Sequence, residues 1–271
     1  MSNRMKVSAT AALVSALVLA SAAYAATQAA QKPAPAGADP SKATEQWEPV
    51  PPIVTPGTTD SAPPSDAVVL FDGHNLDQWV TTNDHSAAHW KVADGIITVD
   101  KSAGNIQTKQ SFKNYQLHLE WRIPTNVTGE GQHRGNSGVF LASTGSDDAG
   151  YEVQILDSYN NKTYVNGQAA AVYKQSAPMA NSMRPPGAWQ TFDIVWTAPV
   201  FAADGKVTSP AYVTVLQNGV IVQNHFQLTG ETTNSGHLPF KPYQEAPIKL
   251  QAHGDPSPPI SFRNIWVRKL P

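Results

Sequence analysis

The 271-residue chain contains no cysteine. That excludes disulfides, thiolate metal sites, a cysteine nucleophile and the lipid-modified cysteine of a bacterial lipoprotein. Charge is sparse as well: 15% of residues are Asp, Glu, Lys or Arg, and the formal net charge is −2. No basic or acidic run stands out, which argues against nucleic acid and against adhesion to a membrane surface. No stretch past residue 25 is apolar for long enough to span a bilayer. Convincing helical periodicity is also missing, and with it the helical crossovers of a parallel sheet. What the chain does have is seven Trp and eight Tyr against little charge, a composition suited to a neutral polar ligand.

The two ends of the N-terminal quarter differ in character. Arg4 and Lys6 precede an apolar, small-residue run from Val7 to Ala20, and Ala23-Tyr24-Ala25 fits a small-x-small cleavage site. Residues 1–25 therefore read as a secretory signal, which places the mature protein in the periplasm or outside the cell with no membrane anchor after cleavage. Residues 26–66 hold nine prolines among Ala, Thr and Ser. Such a segment buries too little apolar surface to offset its ordering entropy, so a solvated, semi-stiff linker is expected.

From Ala67 to Pro271 the pattern is β. Strands are expected at Val68–Phe71, Ile96–Val99, Tyr115–Ile123, Val139–Leu141, Tyr151–Asp157, Ala170–Tyr173, Thr191–Trp196, Tyr212–Leu216, Val220–Phe226, Ile248–Ala252 and Ile260–Val267. Asp94-Gly95 and Asn218-Gly219 are tight-turn signals between flanking strands. Many short strands without helices predict an all-β, two-sheet antiparallel sandwich of the jelly-roll type. The stretches 124–134 and 201–210 read as surface insertions.

Alternation sorts the polar residues, because successive side chains on a strand point to opposite faces. Val153 and Ile155 face the core, so Glu152 and Gln154 face away. Leu117, Leu119 and Trp121 send Glu120 and Arg122 outward. Ile248, Leu250 and Ala252 do the same for Lys249, Gln251 and His253. In the last strand Phe262, Asn264 and Trp266 alternate with Ser261, Arg263 and Ile265, so both faces are partly apolar and its orientation stays open. If these strands share one sheet, its outer face carries Glu120, Glu152, Gln154, Gln251 and His253, groups that hydrogen-bond sugar hydroxyls and move protons. Arg134, Asn136 and Gly138 belong nearby, and a strand glycine such as Gly138 marks either a bulge or a close approach. Tyr164, Tyr173 and Lys174 are placed to form a wall on which a sugar stacks. The eight His show no short metal-ligand spacing, although calcium held by Asp and backbone oxygens leaves little sequence trace.

Seven segments occur in order: Leu70-Phe71-Asp72-Gly73-His74-Asn75-Leu76-Asp77-Gln78-Trp79, Gly135-Asn136-Ser137-Gly138, Tyr151-Glu152-Val153-Gln154-Ile155-Leu156-Asp157, Pro186-Gly187-Ala188-Trp189-Gln190, Gln217-Asn218-Gly219-Val220, Leu250-Gln251-Ala252-His253-Gly254 and Phe262-Arg263-Asn264-Ile265-Trp266. The ordered set resembles the bacterial 3-keto-disaccharide hydrolase domain over residues 67–270, with Ala252 where that family usually has Asp. The resemblance implies a concanavalin A-like jelly roll and cleavage of a glycoside already oxidised to a ketone at C3. It implies an upstream sugar 3-dehydrogenase as the source of that ketone. A 3-keto group acidifies the C2 hydrogen, so one base, donors for the enolate oxygen and an acid for the leaving group complete such a site. Glu152 and His253 are the candidate base and acid in either order. Arg134, Asn136 and Gln154 are the candidates to bind and polarise the ketone, Arg263 to do so or to brace Glu152, and Glu120 to orient a neighbour. Tyr173, Lys174 and Gln251 complete the expected substrate-binding set.

Two other functions fit the same fold. A conventional glycosidase needs two flanking carboxyl groups, and jelly-roll members usually take them from one Glu-x-Asp-x-Glu strand, where this chain reads Glu152-Val153-Gln154-Ile155-Leu156. A non-catalytic carbohydrate-binding module would also suit a proline-rich tether, since fold does not decide function.

Overall fold

The computed structural model describes residues 40–271. The expected signal and residues 26–39 of the expected linker lie outside the described residues. The chain divides into two units, 1–53 and 54–271. The described part of the first holds a short 3-10 turn, Pro40–Thr44, and Trp47 donates its indole N–H to the Glu45 carboxylate.

The second unit is built of β1 (Val68–Phe71), β2 (Trp79–Thr81), β3 (Lys91–Ala93), β4 (Ile96–Thr98), β5 (Ile106–Phe112), β6 (Tyr115–Arg122), β7 (Ser137–Ser143), β8 (Gly150–Ile155), β9 (Trp189–Thr197), β10 (Val200–Phe201), β11 (Val207–Ser209), β12 (Tyr212–Gln217), β13 (Val220–Gln227), β14 (Ala246–Leu250) and β15 (Ser261–Lys269). The larger sheet runs β13-β12-β9-β6-β15-β4-β3, with β1 also paired to β15, and the smaller runs β2-β5-β14-β7-β8. Every pairing is antiparallel, and the two sheets form a β sandwich. Its core shows the alternation expected: Leu117, Leu119, Trp121, Phe192, Ile194 and Trp196 from one sheet meet Ile106, Val139, Leu141, Val153, Ile155 and Ile248 from the other. Tyr115 bridges the layers by donating its hydroxyl to the Leu141 carbonyl at 2.5 Å.

Hairpin turns follow their sequence chemistry. Asn218 and Gly219 both have positive φ, 54° and 79°, as the tight β12–β13 turn demands. Ala170–Tyr173, expected as a strand, makes only isolated bridges through Val172. Ala170 at φ 66° and Lys174 at φ 60° bracket it with left-handed backbone that breaks an extended run. The 201–210 stretch is not a plain loop but the small β10–β11 hairpin.

The last strand owes its ambiguous pattern to a bulge. Pairing with β6 shifts between Arg263 and Trp266, and Asn264 sits at φ 46°. The extra residue resets the parity, so Phe262, Ile265 and Val267 all reach the core.

Residues 54–66 are not solvated linker, as expected, but part of the compact unit. Ser61 offers its carbonyl to the Asn264 amide at 2.8 Å and to the Trp266 indole at 3.0 Å, and Asp66 pairs with Arg268 at 2.7 Å. Proline-rich backbone lacks donors of its own, but its carbonyls still accept from a sheet's side chains. Among the described residues no helix is long and apolar enough to cross a membrane.

Candidate active site

The register of β8, β7 and β14 lays out the site. Glu152 lies opposite Phe140, which lies opposite Lys249. The next row on that face is Gln154 opposite Gly138, whose carbonyl accepts from the Gln251 N–H. Cross-strand neighbours on one face are about 5 Å apart, so one carboxylate, one ammonium and two carboxamides are forced together.

Gly138 is a close approach, not a bulge. A Cβ there would collide with Glu152 Oε1, so the missing side chain is what lets the carboxyl lie flat across β7. Lys249 is fully buried, with its Nζ 4.3 Å from the centre of the Phe140 ring. It donates to the carbonyls of Asp147 and Ala149, both at 2.7 Å, and so pins the β7–β8 turn. Burial and the nearby Asp148 carboxylate push the Glu152 carboxyl up to about 8, against the pull of Lys249. Burial brings the Lys249 ammonium down to about 8, against the attraction of Asp148 and Glu152.

Glu152 forms the floor of a cavity of about 390 Å³, a size ordinary for a small-molecule site. Three amides line it. Gln154 donates to Gln132 Oε1 at 3.0 Å, Asn136 to the Gln132 carbonyl at 2.8 Å, and Gln251 to Asp148 Oδ1 at 2.8 Å. Each thereby turns its own carbonyl oxygen loose, and among the described residues Asn136 Oδ1, Gln154 Oε1 and Gln251 Oε1 are buried without a partner. An unsatisfied buried acceptor costs about 1–3 kcal/mol, so three together mark a place for a ligand's donors. One carboxylate with three amide oxygens is also a donor set of the kind calcium takes. Among the described residues no three His, Cys, Asp or Glu are grouped to hold a metal.

The cavity's roof is the 231–241 stretch. Thr232 Oγ1 accepts from the Glu152 N–H at 2.9 Å and donates to the Gly150 carbonyl at 3.1 Å, stitching the roof to β8. Buried Glu231 takes the Thr144 hydroxyl at 2.5 Å and pairs with Lys241 at 3.0 Å. Tyr173 forms a side wall, its hydroxyl 2.8 Å from that of Tyr164. His253 stands at the rim, with Nδ1 3.1 Å from Asp255 Oδ2. The Asp255 backbone N–H also lies 3.2 Å from Nδ1. The carboxylate takes precedence, because it stays ionised: burial opposes this, but hydrogen bonds from His253, Ser257 and Lys101 hold it at about 2. Nδ1 therefore carries a proton toward Asp255 and Nε2 is left for the cavity.

A family model described as the 3-keto-alpha-glucoside-1,2-lyase-like domain matches residues 66–268. The chain belongs to this family. A 3-keto-disaccharide hydrolase of Bacteroides thetaiotaomicron is 24% identical over 244 residues, covering 75% of this chain and 78% of that protein. A crystal structure described as a glycosyl hydrolase of Parabacteroides distasonis is 52% identical, covers 87% of this chain and 98% of its own, and superposes with a TM-score of 0.79. A second protein of that organism, at 22% identity over 75% of this chain and 99% of its own, shares the fold with a TM-score of 0.52.

Within this member of the 3-keto-glucoside lyase-like family, the structure gathers Glu152, Gln154, Asn136, Gln251, His253 and Tyr173 around one cavity. Four other expected residues lie elsewhere. Glu120 and Arg263 are on β6 and β15, in the other sheet, so the premise of one shared sheet fails. Arg263 pairs with Glu120 at 2.6 Å and stacks 4.1 Å over Trp189. Glu120 also accepts from Asn264 at 2.9 Å and faces His118 at 3.8 Å. Periodicity gives the face of a strand but not which sheet holds it. Arg134 is absent from the lining, its guanidinium taken by buried Asp157 at 2.6 Å. Lys174 sits behind the wall, 4.8 Å from the Tyr164 ring, and donates to the Asn234 carbonyl at 2.9 Å.

Sequence reasoning turned Lys249 outward but left it out of the site, and it passed over Asp148, Asp255 and the roof. Lys249 had a signal, since alternation puts it on the face of Gln251. Asp255 follows His253 by two residues in a His-Gly-Asp turn. The roof has no periodic pattern by which to find it.

Proposed function

We propose that the protein is a secreted carbohydrate-active enzyme that cleaves the glycosidic bond of a 3-keto-glycoside by removing the C2 proton. The observation that carries this reading is Glu152: a buried carboxyl displaced to near-neutral range, facing a polar cavity. A carboxylate that titrates near working pH is a stronger base than an ordinary one and is still ionised often enough to act. An ordinary glycosidase acid would serve at C1; a base in the ring cavity serves C2.

Glu152 takes the C2 proton, and the electron pair moves into the C2–C3 bond and onto the ketone oxygen. Tyr173 and Lys241, both on the lining, are the candidate donors for that oxygen. Collapse of the enolate expels the C1 substituent, whose oxygen takes a proton from Nε2 of His253 in its doubly protonated form, with the Asp255 carboxylate beside Nδ1 balancing the charge. The product is an unsaturated 3-keto sugar. Water then adds across the double bond: its oxygen bonds to C1, its spare proton goes to His253 Nε2, and Glu152 returns its proton to C2, which completes a net hydrolysis and restores both groups. The orphan oxygens of Asn136, Gln154 and Gln251 accept from ring hydroxyls and fix the pose. The substrate must be supplied by an enzyme that oxidises a sugar at C3, and the secretory signal expected at residues 1–25 supports a reaction in the periplasm or outside the cell.

The test is product analysis after mixing the purified protein with a 3-keto-disaccharide and with its unoxidised parent, each with and without a chelator. Release of a 3-keto sugar from the first alone supports the proposal, and sensitivity to the chelator adds calcium to it. Cleavage of both substrates indicates an ordinary glycosidase. Binding without cleavage of either indicates a carbohydrate-binding module.

A further inference from the structure

The turn that follows β4 carries a lysine to the back of the His253 site. Asp100 accepts from the Ser102 N–H at 2.9 Å and from its hydroxyl at 2.6 Å, and Ala103 closes the turn by donating its N–H to the Asp100 carbonyl at 3.1 Å. The Val99 N–H donates to the Ile260 carbonyl at 3.1 Å, which sets this turn beside the segment that follows His253. Lys101 reaches across and uses all three ammonium protons there: on the Asp255 carbonyl at 2.6 Å, on Asp255 Oδ2 at 3.1 Å and on the Ser257 carbonyl at 2.8 Å. Asp255 Oδ2 is the same oxygen that faces His253 Nδ1 at 3.1 Å. The other carboxylate oxygen accepts from the Ser257 N–H at 2.9 Å and from the Ser257 hydroxyl, which itself accepts from the Gly135 N–H at 2.8 Å. The Asp255 carboxylate is therefore buried and held in one plane, with a single oxygen shared between an imidazole and an ammonium.

Resting on the function proposed above, we propose that Lys101 is a positioning residue for the reaction: it shares the Asp255 carboxylate so that Asp255 orients the His253 ring without trapping the proton that Nε2 delivers. An imidazolium paired alone with a buried carboxylate holds its proton tightly, because the attraction is weakly screened there. An acid that holds its proton tightly is a poor donor to a leaving group. A second cation on the same oxygen takes up part of the carboxylate's charge and repels the imidazolium. In each turnover the ring releases a proton to the leaving oxygen and recovers one from water, and Lys101 sets the balance between those two states. The other charged or titratable groups on the cavities that His253 lines are Asp147, Asp148, Glu152, Tyr173, Glu231 and Lys241. All six are common to the wild type and to variants at Lys101, so their influence cancels in the comparison.

The test is an NMR titration of the His253 ring, identified among the eight histidines as the signal missing from His253→Gln. It is run on the purified wild type, Lys101→Met and Lys101→Arg. Lys101→Met should raise the titration midpoint of the ring by about one pH unit or more. Lys101→Arg keeps a charged donor beside the carboxylate and should restore the wild-type midpoint. On a 3-keto-disaccharide the alkaline limb of kcat should move upward by the same amount in Lys101→Met and stay in place in Lys101→Arg. A lysine that only stapled the turn would lower kcat without moving the limb. Should Lys101→Met fail to fold, Lys101→Gln, which keeps a polar donor without the charge, takes its place with the same expectation. A midpoint that is unchanged or lower in the neutral variant, or raised equally in Lys101→Arg, would overturn the role of Lys101 alone. Absence of turnover by the wild type on the 3-keto compound would overturn the underlying function, while the NMR midpoints still decide whether Lys101 governs the ring.

Discussion

Replacing Glu152 with Gln should change how stability responds to pH before any activity is measured. The carboxyl titrates at about 8 in the fold against an ordinary 4.5. The native state therefore holds more protons than the unfolded state between those values, and wild-type stability falls as pH rises through them. A displacement of that size corresponds to something on the order of 5 kcal/mol of differential interaction. Lys249 works in the adjoining window with the opposite sign. Its ammonium titrates at about 8 against 10.5, so the unfolded state holds more protons there and stability recovers as pH rises further. The pair thus sets a minimum near pH 8. In Glu152→Gln the falling limb disappears: the variant should match wild type near pH 5 and exceed it at pH 8. Urea midpoints at pH 5, 6.5, 8 and 9 read this directly. His118 titrates in an overlapping range: burial lowers it, but its hydrogen bonds to the Asp193 and Glu120 carboxylates outweigh that and lift it to about 9. That contribution is common to both proteins and cancels in the difference. Parallel curves for wild type and variant would refute the reading of Glu152 as a buried, displaced carboxyl.

Other consequences follow from the same geometry. Gly138→Ala puts a methyl group where Glu152 Oε1 lies, and should lower kcat/KM by about a hundredfold through misplacement of the base. Asp255→Asn removes the ionised partner of His253 Nδ1, and should cut kcat by about a hundredfold or more, measured with the pH profile of the remaining activity. Arg263→Ala breaks the pair with Glu120 on the opposite sheet, and should lower stability by about 2 kcal/mol in urea while leaving kcat/KM at the wild-type value. The Glu120 carboxyl is held at about 2 by hydrogen bonds from His118, Asn264 and Arg263, which together outweigh burial. Its contribution is complete above pH 4.5 and is lost on acidification toward 2, which a pH series on Glu120→Gln would show.

The strands and their core faces were legible because burial imposes a strict period on β6, β8, β9 and β14. The same period placed Glu152, Gln154 and Gln251 on an outward face, and the structure joins them. It could not assign Glu120 and Arg263, since alternation is identical in both sheets of a sandwich and only the pairing order separates them. The bulge at Asn264 hid the parity of β15. β5 was missed because Gln107, Thr108 and Gln110 give it no apolar rhythm, although its neighbours β2 and β14 flank it on both sides. The roof over Glu152 depends on contacts distant in sequence, such as Thr232 with β8, and no local pattern encodes them. Glu152 is buried beneath that roof and Lys249 beneath the β7–β8 turn, so their displaced protonation was not visible either.

The central claim is that Glu152 removes the proton at C2 of an oxidised sugar. The most direct measurement is turnover of a 3-keto-disaccharide carrying deuterium at C2, in wild type and in Glu152→Gln. The account predicts release of a 3-keto sugar by the wild type, loss of the label to solvent, slower turnover of the deuterated substrate, and no reaction in the variant. Cleavage that retains the label at C2, or that proceeds equally well in Glu152→Gln, would contradict it.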